Sequence, residues 1–357
     1  MPAFESTPPP PIPLSRTLQF ALFATSVIWV IGSQVIGDIA GRGLSVHFGL
    51  EDEQMLLSHL IWLFLLVVGF SFLQALTNQP SSFSVAAGLP KRATAREEFG
   101  IGAALGWGMV LLAILPMALA GTLHVHFLGD SHSFWLVLVN LPTLLVAALT
   151  EELAFRGYPF RRLIGTIGPV KATILLSVLF GLVHALNPDA TWISVLITIL
   201  AGVLFSVAWL RTHGLWLPWG LHFAWNVSMG MLFGLPVSGL NNFSSVVMTR
   251  AVGRLWLTGG TYGPEAAFFT VPAILVCLIA LVVLTRDYAW DYARPPIIAA
   301  GYPVDVAPPA AHDEMEQQAA QPAALVQILS STPQTMSVVA PLPTLSRPSS
   351  PENEGSD

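Results

Sequence analysis

Residues 135–156 read WLVLVNLPTLLVAALTEELAFR, an uncharged run that ends on Glu151, Glu152 and Arg156. The apolar part is long enough to cross the hydrocarbon core of a bilayer as a helix. At 3.6 residues per turn Glu152 and Arg156 share one face, while Glu151 is rotated about 100° from Glu152. Ionisable groups at membrane depth are costly, which makes them functional candidates by default. Two later stretches extend the pattern. Phe180-Gly-Leu-Val-His184 closes an apolar run on an imidazole, and His222-Phe-Ala-Trp-Asn226 sets an imidazole and a carboxamide one turn apart.

Composition agrees with a membrane chain. The 357 residues are 54% apolar and only 10% charged, with a mean hydropathy of +0.66. A soluble domain carries roughly a quarter charged residues. The net charge of -6 is small, and the few basic residues are scattered, so nucleic acid is excluded as a partner. The single cysteine, Cys277, rules out an intrachain disulfide and is not part of a C-terminal prenylation box. The Pro-rich start lacks the pattern of a cleavable signal peptide.

Windows of about 20 apolar residues predict eight spans, at roughly 17–37, 55–76, 99–121, 135–155, 171–187, 191–210, 216–236 and 266–285. The expected fold is all-α, a polytopic membrane bundle of about eight transmembrane helices with a disordered C-terminal tail. The division is a Pro-rich cytoplasmic leader (1–16), N-terminal transmembrane helices (17–134), a core holding the three motifs (135–236), an extramembrane loop and last span (237–290), and a Pro/Ala-rich tail (291–357). With a cytoplasmic N-terminus, that side collects Arg16, Lys91, Arg92, Arg96, Arg161, Arg162, Lys171, Arg211, Arg286 and Arg294, against Arg42, Arg250 and Arg254 outside. The asymmetry predicts both termini in the cytoplasm of an integral, multi-pass protein, with the plasma membrane as its location. Gly102-x-x-x-Gly106 and Gly230-x-x-x-Gly234 offer close helix approach.

Counting in from the cytoplasmic ends puts Glu151 roughly 15 Å deep, His184 roughly 20 Å, His222 roughly 9 Å and Asn226 roughly 15 Å. The polar groups are therefore expected in one slab towards the cytoplasmic half. A carboxylate in a poorly solvated cavity suits a general base. Glu152, with Arg156 one turn on, makes an ion pair that supports the site and leaves Glu151 to activate water. His184 orients that water or carries its proton, and His222 with Asn226 donates to a developing oxyanion. Together these parts suit hydrolysis of an acyl bond without a covalent nucleophile.

Each motif alone has a plainer reading: an interfacial ion pair, a helix-contact histidine, a member of an aromatic belt with Trp216, Trp219 and Trp225. Their joint occurrence favours function. His124, His126, Asp130 and His132 have metal-like spacing, but loops collect such residues freely. Zinc at Glu151, His184 and His222 is the alternative to a metal-free site. No helix here supplies two histidines at i,i+4, the usual zinc arrangement, so no cofactor is favoured.

In this order on successive helices, the motifs Glu151-Glu152-Leu-Ala-Phe-Arg156-Gly-Tyr, Phe180-Gly-Leu-Val-His184 and His222-Phe-Ala-Trp-Asn226 resemble those of the CPBP family. That family includes the type II CAAX prenyl endopeptidases and the Abi-like membrane proteins. The resemblance covers roughly residues 135–235. It implies an intramembrane protease whose catalytic cavity opens towards the cytoplasm. It implies that Glu151 and His184 activate water while His222 and Asn226 stabilise the oxyanion, the roles that side-chain chemistry also suggests. It implies a membrane-associated peptide or protein substrate, prenylated chains among them, met within the lipid bilayer. The rival reading is a non-catalytic Abi-like protein that acts in bacteriocin immunity or as a scaffold. A transporter is disfavoured by the lack of an inverted repeat.

Overall fold

A helix that begins at Ser15 sets the first wall of the bundle. Ser15 Oγ accepts the Leu18 N–H at 3.2 Å, and the helix α1 then runs over Arg16–Phe48. The structure, a computed structural model, describes residues 14–77, 84 and 88–286. Most of the expected leader and the whole of the expected tail lie outside the described residues.

The chain continues as α2 (Gln54–Ala75), α3 (Ala95–Leu119), α4 (Ser131–Arg156), a short α5 (Tyr158–Ile167), α6 (Pro169–His184), α7 (Trp192–Thr212), α8 (Trp216–Val227), α9 (Leu255–Thr258) and α10 (Thr270–Leu284). A π-helical turn, Ser228–Leu232, prolongs α8. Each predicted span holds a helix. Five stretches are long and apolar enough to cross a membrane: α1, α2, α3, α4 continued by α5, and α7. The apolar helices α6 and α10 are shorter, and α8 is shorter still.

The short helices have a physical counterpart in the loop that follows α8. Leu235, Val237 and Phe243 from that loop are buried in the same apolar core as Met109 and Val110 of α3, Leu221 and Trp225 of α8, and Ile274 of α10. Non-helical backbone is tolerated at depth where protein rather than lipid covers it. The span expected at 216–236 is therefore helical to Leu232 and ends in the returning loop. A second apolar core joins Leu22 and Phe23 of α1, Trp62, Leu66 and Phe70 of α2, Leu153 of α4 and Phe160 of α5.

A small antiparallel ladder was not anticipated. β1 (Leu123–Phe127) pairs with β2 (Val247–Ala251), with Leu123 opposite Ala251 and Phe127 opposite Val247. His124 and His126 are exposed on β1. Asp130 caps α4, accepting the Ser133 N–H at 3.0 Å and its hydroxyl at 2.8 Å. Those two bonds hold its carboxyl below the ordinary carboxylate range. The metal-like spacing in this loop is thus strand and cap.

The two glycine pairs serve different purposes. A Cβ on Gly102 would lie 2.1 Å from Leu217 O, and one on Gly106 would lie 2.3 Å from Leu221 O, so α3 and α8 meet backbone to backbone. Gly230 instead faces Val237 and Phe243 of the returning loop, and Gly234 takes a left-handed φ of 62° within it. The second pair therefore shapes a chain reversal and not a helix pair. Gly106→Ala is expected to cost about 1–3 kcal/mol by overpacking. A thermal melt in detergent should show a clear fall for Gly106→Ala and none for Gly108→Ala, whose added methyl meets open space. Equal midpoints would contradict this account of the α3–α8 contact.

Candidate active site

Glu152 and Arg156 are fully buried on α4. One turn apart, they pair through Arg156 Nη1 and Glu152 Oε1 at 3.2 Å. Arg156 Nη2 donates to Gly202 O on α7 at 3.1 Å, and its guanidinium lies 4.4 Å from the centre of the Phe180 ring. Charges so far from water persist only when paired and hydrogen-bonded. The sequence reading gave Glu152 this one partner. The structure gives it a second: Glu152 Oε1 lies 2.9 Å from His222 Nδ1, across 70 positions of sequence.

That bond orients His222. An ionised carboxylate only accepts, so Nδ1 carries the proton that meets Glu152. Phe205 stacks on the imidazole with centroids 4.8 Å apart and an interplanar angle of 16°, which fixes its plane. His184 is held by different means. Its Nδ1 lies 2.8 Å from Phe180 O, and a carbonyl oxygen only accepts, so Nδ1 again carries the proton. The i,i+4 spacing of Phe180 and His184 thus supplies a backbone anchor, while the Phe180 ring covers Arg156.

Both imidazoles turn Nε2 towards the same atom. His184 Nε2 and His222 Nε2 each lie 3.8 Å from Glu151 Oε2. That separation is too long for a direct hydrogen bond and suits a bridging water. Glu151 Oε2 is buried and has no hydrogen-bond partner among the described residues. Glu151, His184, His222 and Asn226 line one cavity of about 360 Å³. Glu152 and Arg156 stand behind it. The structure therefore brings the four expected site residues together, with the ion pair as their support.

His184 is the last residue of α6, about 22 Å along the axis from Pro169, whereas His222 is only about 9 Å from the start of α8. Their Nε2 atoms nevertheless face one oxygen, so the two helices are offset along their lengths. Asn187 and Ser238, from the loops after α6 and α8, line the same cavity. The cavity thus takes in the end of α6 and the loops that follow α6 and α8.

Sequence reading also missed residues. His59 of α2 and Gln34 of α1 line the cavity. His59 sits in an apolar run, and the cost of an imidazole there was the available signal. Glu265 accepts the Trp225 indole N–H at 2.7 Å and the Ser238 hydroxyl at 2.7 Å, and it also takes the Ser238 backbone N–H. It thereby ties α8, beside Asn226, to the returning loop. A larger cavity of about 620 Å³ between α3 and α10 is lined almost wholly by aliphatic residues and by none of the site's polar groups. Among the described residues, no group of three or more His, Cys, Asp or Glu side chains is placed to hold a metal ion.

Residues 132–228 match the family model described as type II CAAX prenyl endopeptidase Rce1-like. The match runs from the first turn of α4 to the turn after α8 and takes in Glu151, Glu152, Arg156, His184, His222 and Asn226. No curated protein and no solved structure matches the chain. The Rce1-like domain is consistent with the CPBP family, and with the apolar helices it supports an integral membrane protein with a CAAX-protease-like intramembrane function.

The buried pair makes a specific stability prediction. Arg156→Leu leaves the Glu152 charge uncompensated by its cation and is expected to cost about 3–5 kcal/mol. Adding Glu152→Gln removes that charge and should recover part of the loss. Detergent melts of the single and double variants test this; a double variant no more stable than Arg156→Leu would contradict it.

Proposed function

We propose that this protein is an intramembrane endopeptidase that hydrolyses a peptide bond with water activated by Glu151. The observation that carries this reading is the convergence of two imidazole Nε2 atoms on Glu151 Oε2, each at 3.8 Å. A water between these groups gives its proton to Glu151. His184 Nε2 bears a lone pair, because its Nδ1–H is spent on Phe180 O, so it orients the same water as an acceptor. The hydroxide oxygen attacks the scissile carbonyl carbon, and the carbonyl oxygen takes the negative charge. The Asn226 amide donates to that oxyanion. His222 donates through Nε2 when doubly protonated, with the charge of Glu152 at Nδ1 compensating its own. Glu151 then passes its proton to the leaving nitrogen, and the C–N bond breaks. Proximity and a fixed geometry supply most of the benefit, since none of these groups needs to reorganise.

The substrate on this reading is a membrane-associated peptide or protein, prenylated chains included, that reaches the cavity from the bilayer. The excess of Lys and Arg on one side supports cytoplasmic termini. A non-catalytic Abi-like scaffold is the competing function, and Glu151→Gln separates the two. The variant keeps shape and removes the base, so turnover should fall by about 10²–10⁴-fold with unchanged membrane expression. Comparative membrane proteomics of wild type and Glu151→Gln should show C-terminal trimming lost in the variant. A phenotype fully retained by Glu151→Gln would favour the scaffold.

The mechanism uses no metal. Chelation of the purified protein is expected to leave hydrolysis intact. Activity abolished by a chelator and restored by zinc would overturn the metal-free mechanism.

A further inference from the structure

Glu151 stands between two walls of the cavity. Along one flank α4 packs on α8, which carries His222 and Asn226; along the other it packs on α2, which carries His59. His59 Nδ1 lies 3.1 Å from Thr150 Oγ1, and the Thr150 hydroxyl gives its own proton to Ala147 O at 2.8 Å. The Thr150 oxygen is left as an acceptor, so the proton between it and His59 belongs to Nδ1. The neutral ring therefore keeps a lone pair on Nε2. That nitrogen has no hydrogen-bond partner among the described residues, and the side chain lines the cavity.

A trans peptide unit is planar and points its C=O and its N–H in opposite directions. An amide whose C=O is turned to Asn226 and His222 on the α8 wall presents its N–H to the α2 wall. We propose that His59 Nε2 accepts the N–H of the scissile amide and so sets the plane of that amide across Glu151. The assignment rests on the proteolytic reading of the site. It makes α2, which lies outside the segment matched by the family model, a direct contributor to substrate orientation. As nitrogen becomes the leaving amine, the same bond keeps its N–H on the α2 side and frees its developing lone pair to take the proton from Glu151.

The test pairs a farnesylated reporter peptide with its ester analogue, in which oxygen replaces the scissile N–H. Wild type, His59→Ala and His59→Gln are compared by kcat/KM in proteoliposomes. His59→Ala should lose about tenfold on the amide and stay within about twofold on the ester, the amide loss being that of one hydrogen bond. His59→Gln retains an acceptor and should recover most of the amide activity. Equal losses on amide and ester, or no recovery with glutamine, would reduce His59 to a structural link with Thr150 and overturn the proposal. A wild-type protein that cleaves neither substrate overturns the proteolytic reading first, and the role of His59 with it.

Discussion

One carboxylate oxygen holds the site together. Glu152 Oε1 meets Arg156 on its own helix and His222 from α8, in a region closed to water. Neither ionic partner is dispensable physically: without Arg156 the buried charge is left to a single imidazole, and without Glu152 the imidazole loses its orientation. Arg156 in turn is fixed by Gly202 O and by the Phe180 ring. Hydrogen bonds thus join α4, α7 and α8 in one polar chain, and the candidate site residues are arranged on its cavity side. Glu151 differs from Glu152 by one position and about 100° of helix rotation, which suffices to give adjacent acids separate tasks.

Building such a chain inside a membrane protein constrains the rest of the bundle. The polar core needs close, rigid packing, and α3 supplies it by pressing Gly102 and Gly106 onto the backbone of α8. The returning loop after α8 closes the far end, anchored by Glu265 to Trp225 and Ser238. A helix that ends early and is capped by protein leaves room for a cavity without exposing bare backbone to lipid.

Much of this was legible in the sequence, for a simple reason. Ionisable residues stand out against apolar runs, so Glu151, Glu152, Arg156, His184, His222 and Asn226 could be named and the eight helices located from composition and spacing alone. The i,i+4 bond of Glu152 and Arg156 is local and follows from helix geometry. The bond from Glu152 to His222 spans 70 positions and depends on how α4 and α8 pack, which no local pattern encodes. The same holds for the offset of α8 against α6, for the ladder of β1 and β2, and for the use of Gly230 and Gly234 in a chain reversal. His59 obeyed the rule that exposed the other residues but has Met55 and Leu63, not an ionisable or amide side chain, four residues away on either side. The leader and tail lie outside the described residues.

The most direct measurement of the central claim is a kinetic double-mutant cycle between Glu152 and His222. Glu152→Gln, His222→Gln and the double variant would be compared by kcat/KM on one peptide, with melts to confirm folding. If Glu152 acts by orienting His222, the double variant is no slower than the slower single variant, and the two losses are strongly non-additive. Fully additive losses would mean that the two residues act independently, and the buried chain would not be what positions the site.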